Sequence, residues 1–151
     1  MRSRWSVIAL AMLTLVLMPR DGKAQGTQSQ KSKPVVSLKQ NYPNPFNPES
    51  RIKFTLGDDY PVCSDRAKQY RVSLKVFNIL AQLVAVPLLE GSSGGVAGGQ
   101  RLDNVLLTCG EYTAFWNGKY LNTSREVASG VYLWNIEANG ERRTVRSTVA
   151  K

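Results

Sequence analysis

From Val35 onward the chain falls into short β-like runs separated by turn residues, and in the clearest of them apolar side chains alternate with polar ones at a period of two. Such alternation puts successive side chains on opposite faces, so it marks half-buried strands and gives no stripe for an amphipathic helix. Ile52, Phe54 and Leu56 are interleaved with Arg51, Lys53 and Thr55. Tyr70, Val72, Leu74 and Val76 are interleaved with Arg71, Ser73 and Lys75 in the same way. Leu83 to Leu89 is a third run, in which Pro87 predicts an edge or a strand end because it has no N–H to give a ladder. Leu102 to Leu107, Tyr112 to Trp116, Val131 to Ala138 and Arg142 to Val149 follow. The last two flank Asn139-Gly140, the pair best suited to a two-residue hairpin turn.

With the short run Val35 to Leu38, roughly seven or eight strands fit into about 115 residues, and no stretch sustains a helical period. Count and spacing predict an all-β chain: an antiparallel β-sandwich of immunoglobulin-like type over residues 35–151, with a small barrel as the alternative. Residues 25–34 (QGTQSQKSKP) lack large apolar side chains and read as a flexible lead-in. Gly91 to Gln100 (GSSGGVAGGQ) reads as a flexible inter-strand loop and not a phosphate cradle, since no Lys-Ser/Thr follows it.

Residues 1–24 have the order of a secretory signal peptide. Arg2 and Arg4 precede an apolar run from Val7 to Met18, and Gly22 and Ala24 supply small residues for a cut before Gln25. As a membrane anchor this run would span only roughly 18 Å of a hydrocarbon core about 30 Å thick. Its removal leaves no transmembrane helix and takes Arg2, Arg4, Arg20 and Lys23 with Asp21, lowering the formal net charge from +9 to +6. The remaining charges are scattered among strands, and only Arg142, Arg143 and Arg146 approach a cluster. Nucleic-acid binding is therefore not expected, whereas peripheral attraction to an anionic envelope surface is.

The chain contains no histidine, which removes Ser-His-Asp and Cys-His catalysis and every histidine-ligated metal site. Its two cysteines are too few for a four-thiolate zinc site or an iron–sulfur cluster. In an exported chain Cys63 and Cys109 are expected to pair as a disulfide, the alternative being two partly buried thiols. Asp58, Asp59 and Asp65 lie close together but lack the calcium-loop spacing. Glu111, Glu126 and Glu137 offer carboxylates, but nothing places two of them across a cleft as glycoside hydrolysis requires. Trp116, Tyr132 and Trp134 alternate along strands and so read as core and not as a carbohydrate-binding face. Asn122-Thr123-Ser124 matches a glycosylation sequon, a triplet common by chance. The expectation is a non-enzymatic protein with no cofactor and no metal.

Residues 38–56, LKQNYPNPFNPESRIKFTL, are of another kind. Pro43, Pro45 and Pro48 fix φ, Asn41, Asn44 and Asn47 are suited to Asx-turns, and Tyr42 and Phe46 read as apolar plugs against the sandwich. The segment closely resembles the opening of the C-terminal sorting domains of type IX secretion cargo, and is similar to the immunoglobulin-like domain of flagellar hook-capping proteins. Val72 to Val84 (VSLKVFNILAQLV) resembles the family's strand–turn–strand unit, with Ala81 where glycine is usual. Gly110 to Gly118 (GEYTAFWNG) resembles its Gly-x-Tyr strand, with Asn117 for aspartate. Val127 to Leu133 (VASGVYL) resembles the lead into the final hairpin.

The resemblance implies a secreted sandwich without a catalytic site, recognised by protein export or surface-attachment machinery of a bacterial envelope. Its location would be the periplasm, the cell surface or the medium. Partner contact is expected in the turn Asn41–Pro48 and in the C-terminal hairpin and tail, through Arg142, Arg143, Arg146 and Lys151. The alternative is a periplasmic or surface adhesion module that engages glycan or protein through its loops.

Overall fold

A computed structural model describes residues 33–91, 96–121 and 123–151. The expected signal segment 1–24, most of the expected lead-in 25–34, the centre of the glycine-rich loop and Asn122 of the sequon lie outside the described residues.

Nine strands are present among the described residues: β1 (Val36–Leu38), β2 (Ser50–Leu56), β3 (Gln69–Asn78), β4 (Leu83–Ala85), β5 (Leu88–Glu90), β6 (Val105–Thr108), β7 (Gly110–Trp116), β8 (Gly130–Ala138) and β9 (Glu141–Val149). They form two antiparallel sheets. One has the order β1-β2-β7-β5; the other has β4-β3-β8-β9, with β6 beside the first part of β3. No helix occurs among the described residues.

The period of two becomes the core directly. Ile52, Phe54 and Leu56 face inward from β2, and Tyr70, Val72, Leu74 and Val76 from β3. Tyr112, Ala114 and Trp116 of β7 and Tyr132, Trp134 and Ile136 of β8 complete the two inner faces. Burying each large apolar side chain contributes on the order of 1.5–3 kcal/mol before chain entropy is set against it. Trp116 is the hub, with Phe46, Tyr132 and Trp134 edge-on to it at 5.4, 5.6 and 5.7 Å between ring centroids. The three aromatics weighed as a carbohydrate face therefore line the interior.

The run Leu83 to Leu89 is not one strand. It breaks at Val86-Pro87, leaving β4 in the second sheet and β5 in the first. Pro87 cannot donate to a ladder, so pairing stops there, and the chain crosses from the edge of β3 to the edge of β7. This division brings the strand count to nine, above the number expected. Leu102 likewise precedes its strand, since β6 starts only at Val105, although Leu102 is fully buried.

Asn139 and Gly140 both have positive φ, 48° and 87°, as a two-residue hairpin turn between β8 and β9 requires. Cys63 and Cys109 form the expected disulfide, with 5.5 Å between Cα atoms and a sequence separation of 46. It fastens the polar excursion after β2 to the start of β7.

Candidate functional site

The two regions expected to meet a partner, the proline-rich turn and the last strand, are adjacent in the fold. The turn begins as an irregular continuation of the first sheet. Tyr42 exchanges both backbone hydrogen bonds with Arg51, at 2.7 and 2.9 Å. Residues paired across strands share a face. Tyr42 therefore points outward with Arg51 and is 80% exposed, while Asn41, 2% exposed, turns inward beside Ser50. The reading of Tyr42 as an apolar plug is corrected by this register; Phe46, 2% exposed, is the plug.

A buried polar network closes the turn. Asn41 Nδ2 donates to Ser50 Oγ at 2.8 Å and to the Pro43 carbonyl at 3.0 Å, and Gln40 Nε2 donates to Asn41 Oδ1 at 2.7 Å. Around this network the Tyr42-Pro43, Asn44-Pro45 and Asn47-Pro48 bonds are all cis. Gly118, at φ +71°, packs so closely against the Pro48 carbonyl that no Cβ fits there.

Beyond the network, the turn lies along the outer edge of β9. Phe46 N–H donates to the Thr148 carbonyl at 3.0 Å, and Ala150 N–H donates to the Phe46 carbonyl at 3.1 Å, forming a parallel bridge between Phe46 and Val149. Thr148 N–H donates to Asn44 Oδ1 at 2.9 Å, and Gln40 Nε2 donates to the Arg146 carbonyl at 2.9 Å. The C-terminal half of an otherwise bare edge is thus covered by the turn, which is one way sandwiches protect edge strands. Thr148 directs both backbone groups outward, so by the same alternation Thr144 does as well. The open stretch of the edge is short and centred on Thr144.

The basic side chains are divided by that alternation. Arg142 and Arg146 lie on the outer sheet face, while Arg143 lies on the other. Arg142 Nε is 2.7 Å from Glu137, Arg143 is paired with Glu141 at 2.5 Å, and Lys151 is 2.8 Å from Glu126. The Lys151 hydrogen bond is the main reason Glu126 sits below the ordinary glutamate range. Arg146 has no ion pair among the described residues. The cluster is therefore one unpaired cation beside the open edge plus neighbours already partnered. The tail is also not free, since residues through Val149 belong to β9.

Elsewhere, the three loop aspartates are engaged by the loop itself. Asp58 accepts from Lys68 Nζ at 2.9 Å and from the Tyr70 hydroxyl at 3.0 Å. Asp59 accepts from the N–H and hydroxyl of Ser64, and Asp65 from the N–H groups of Ala67 and Lys68. Glu111 is shared by Lys39 and Lys53. Surface recesses of about 80, 200 and 240 Å³ are present, smaller than the roughly 300 Å³ at which small-molecule sites begin.

Asn44 was singled out in the sequence, but its contact with Thr148 was not. Gln40 and Ser50 carried no signal, because a polar residue in a turn looks the same whether it is solvated or buried. Comparison of the chain with family models, curated proteins and solved structures gives no match.

Proposed function

We propose that this chain is a non-enzymatic exported β-sandwich of the type IX sorting kind, which directs protein sorting or cell-surface attachment. The observation that carries this reading is the junction of the two expected recognition elements. The Asn41–Pro48 turn and strand β9 form one continuous surface through the Phe46–Val149 bridge. Beside it lie the open edge at Thr144 and the unpaired Arg146. An export receptor would add a strand to that edge and set a carboxylate against Arg146. The disulfide suits an oxidising envelope compartment, and no helix of the described residues is long and apolar enough to cross a membrane. The burial of Trp116, Tyr132 and Trp134 weighs against the glycan-binding alternative.

Deleting residues 142–151 is a poor test, because it removes all of β9 but Glu141, including the core residues Ser147 and Val149. Thr144→Pro is better: it blocks strand addition while removing an N–H that no ladder uses. Thr144→Pro and Arg146→Glu should leave the thermal transition in place and cause the protein to accumulate in the periplasm. Wild type should reach the surface or medium, identified by intact mass. Wild type found unmodified in the periplasm, or both variants found where wild type is, would overturn the assignment.

A further inference from the structure

The exposed apolar side chains of this protein are not scattered evenly. Ile79 and Leu80, 74% and 73% exposed, stand side by side at the tip of the turn between β3 and β4. Leu83 and Leu121 are exposed next to them, and Leu121 N–H donates to the Val84 carbonyl at 2.8 Å. From this tip an apolar row crosses the outer face of the second sheet. Leu83 pairs with Phe77, Phe77 with Leu133, and Leu133 with Arg146. The row therefore ends in the cation that has no ion pair.

We infer that this tip docks the protein onto an anionic lipid bilayer, with Ile79 and Leu80 entering the interface. Three observations favour a bilayer over a protein partner. First, Ile79 and Leu80 project from the end of a tight turn and line none of the recesses described above, which suits insertion into a fluid surface.

Second, the turn bonds most of its own backbone donors, that of Ile79 excepted. Asn78 N–H donates to the Gln82 carbonyl and Ala81 N–H to the Asn78 carbonyl, while the N–H groups of Leu80 and Gln82 both donate to Asn78 Oδ1. Each donor bonded within the turn lowers the cost of entering a medium poor in water.

Third, the end that carries the tip has an excess of positive charge: Lys119, Arg125, Arg146 and Lys151 lie there against Glu49 and Glu126. Cations around an apolar tip are complementary to anionic headgroups. This inference does not depend on the sorting role.

The test is sedimentation of the full chain with vesicles of phosphatidylglycerol and phosphatidylcholine in equal parts, against phosphatidylcholine alone. Wild type should bind the anionic vesicles and release as salt is raised. Ile79→Ser/Leu80→Ser should weaken that binding by about tenfold, with an unchanged thermal transition because both side chains are exposed. A Leu80→Trp variant reads the tip itself: relative to wild type, its added emission should shift to the blue on anionic vesicles and be quenched by brominated lipid. Binding that survives the double serine variant, a Leu80→Trp signal unmoved by lipid, or equal binding to neutral vesicles would overturn the inference. Self-association abolished by the same serines, without vesicle binding, would mean that the tip meets a second copy instead.

Discussion

Thr148 donates its backbone N–H to the side-chain carbonyl of Asn44 at 2.9 Å, across a sequence separation of 104. The contact holds the proline-rich turn to the last strand where no ladder partner is available, and it depends on one amide side chain. Asn44→Ala should lower stability by about 1 kcal/mol. It should also accelerate hydrogen exchange at Thr148 more than at amides within the β8–β9 ladder. Unchanged protection of Thr148 would mean that the Phe46 bridge alone seals the edge.

Phe46 and Tyr42 occupy the same turn and should respond in opposite ways. Phe46→Ala removes a ring packed on Trp116 and should cost about 3–5 kcal/mol in urea unfolding. Tyr42→Ser alters an exposed side chain and should stay within about 0.5 kcal/mol of wild type. Comparable losses for the two would contradict the register that turns Tyr42 outward.

The disulfide closes a loop over a sequence separation of 46. In the chain-entropy account such a bridge contributes about 4 kcal/mol. Cys63→Ala/Cys109→Ala should lose approximately that amount, and protease should then cut first within the polar excursion between β2 and β3. A double variant as stable as the oxidised protein would show that packing alone holds the excursion.

Ala81 sits at φ 59°, in the left-handed region that favours glycine. Ala81→Gly should therefore stabilise the protein by about 0.5–1 kcal/mol, net of the added freedom in the unfolded chain. Thermal unfolding of the single variant decides it, and a lower transition temperature would refute the strain argument.

Acid should weaken the fold through identifiable carboxylates. Lys68, then Tyr70, hold Asp58 below its ordinary value; Ser64 does the same for Asp59, Lys39 for Glu111 and Lys151 for Glu126. A carboxyl whose pKa falls on folding contributes stability above its unfolded value and loses it as pH falls through the folded one. Thermal stability should therefore be flat from about pH 5 to about pH 9 and decline steadily below about pH 4. Lys68→Met should raise the Asp58 titration midpoint seen by NMR, and an unmoved midpoint would exclude the Lys68 hydrogen bond as its main cause.

What local sequence determined is what local geometry controls. A period of two separates inner from outer side chains along any extended strand, so the cores of β2 and β3 could be read residue by residue, whereas in β7 and β8 apolar residues on both faces left only Trp116, Tyr132 and Trp134 assigned. Asn139-Gly140 announces its turn because few residues accept positive φ. Pro87 marks a strand end because it lacks a donor. The tertiary structure decided the rest, because it depends on which distant strand lies alongside. Arg51 pairs with Tyr42, and only that register turns the tyrosine out and Asn41 in. Pro87 ends a strand, but the crossing from one sheet to the other follows from where β3 and β7 have edges to offer. The Asn41–Pro48 turn covers β9 because the last hairpin returns beside it, a meeting of residues about a hundred positions apart that no local pattern encodes. Backbone hydrogen bonding is satisfied by proximity in space, and proximity in space is a property of the assembled sandwich.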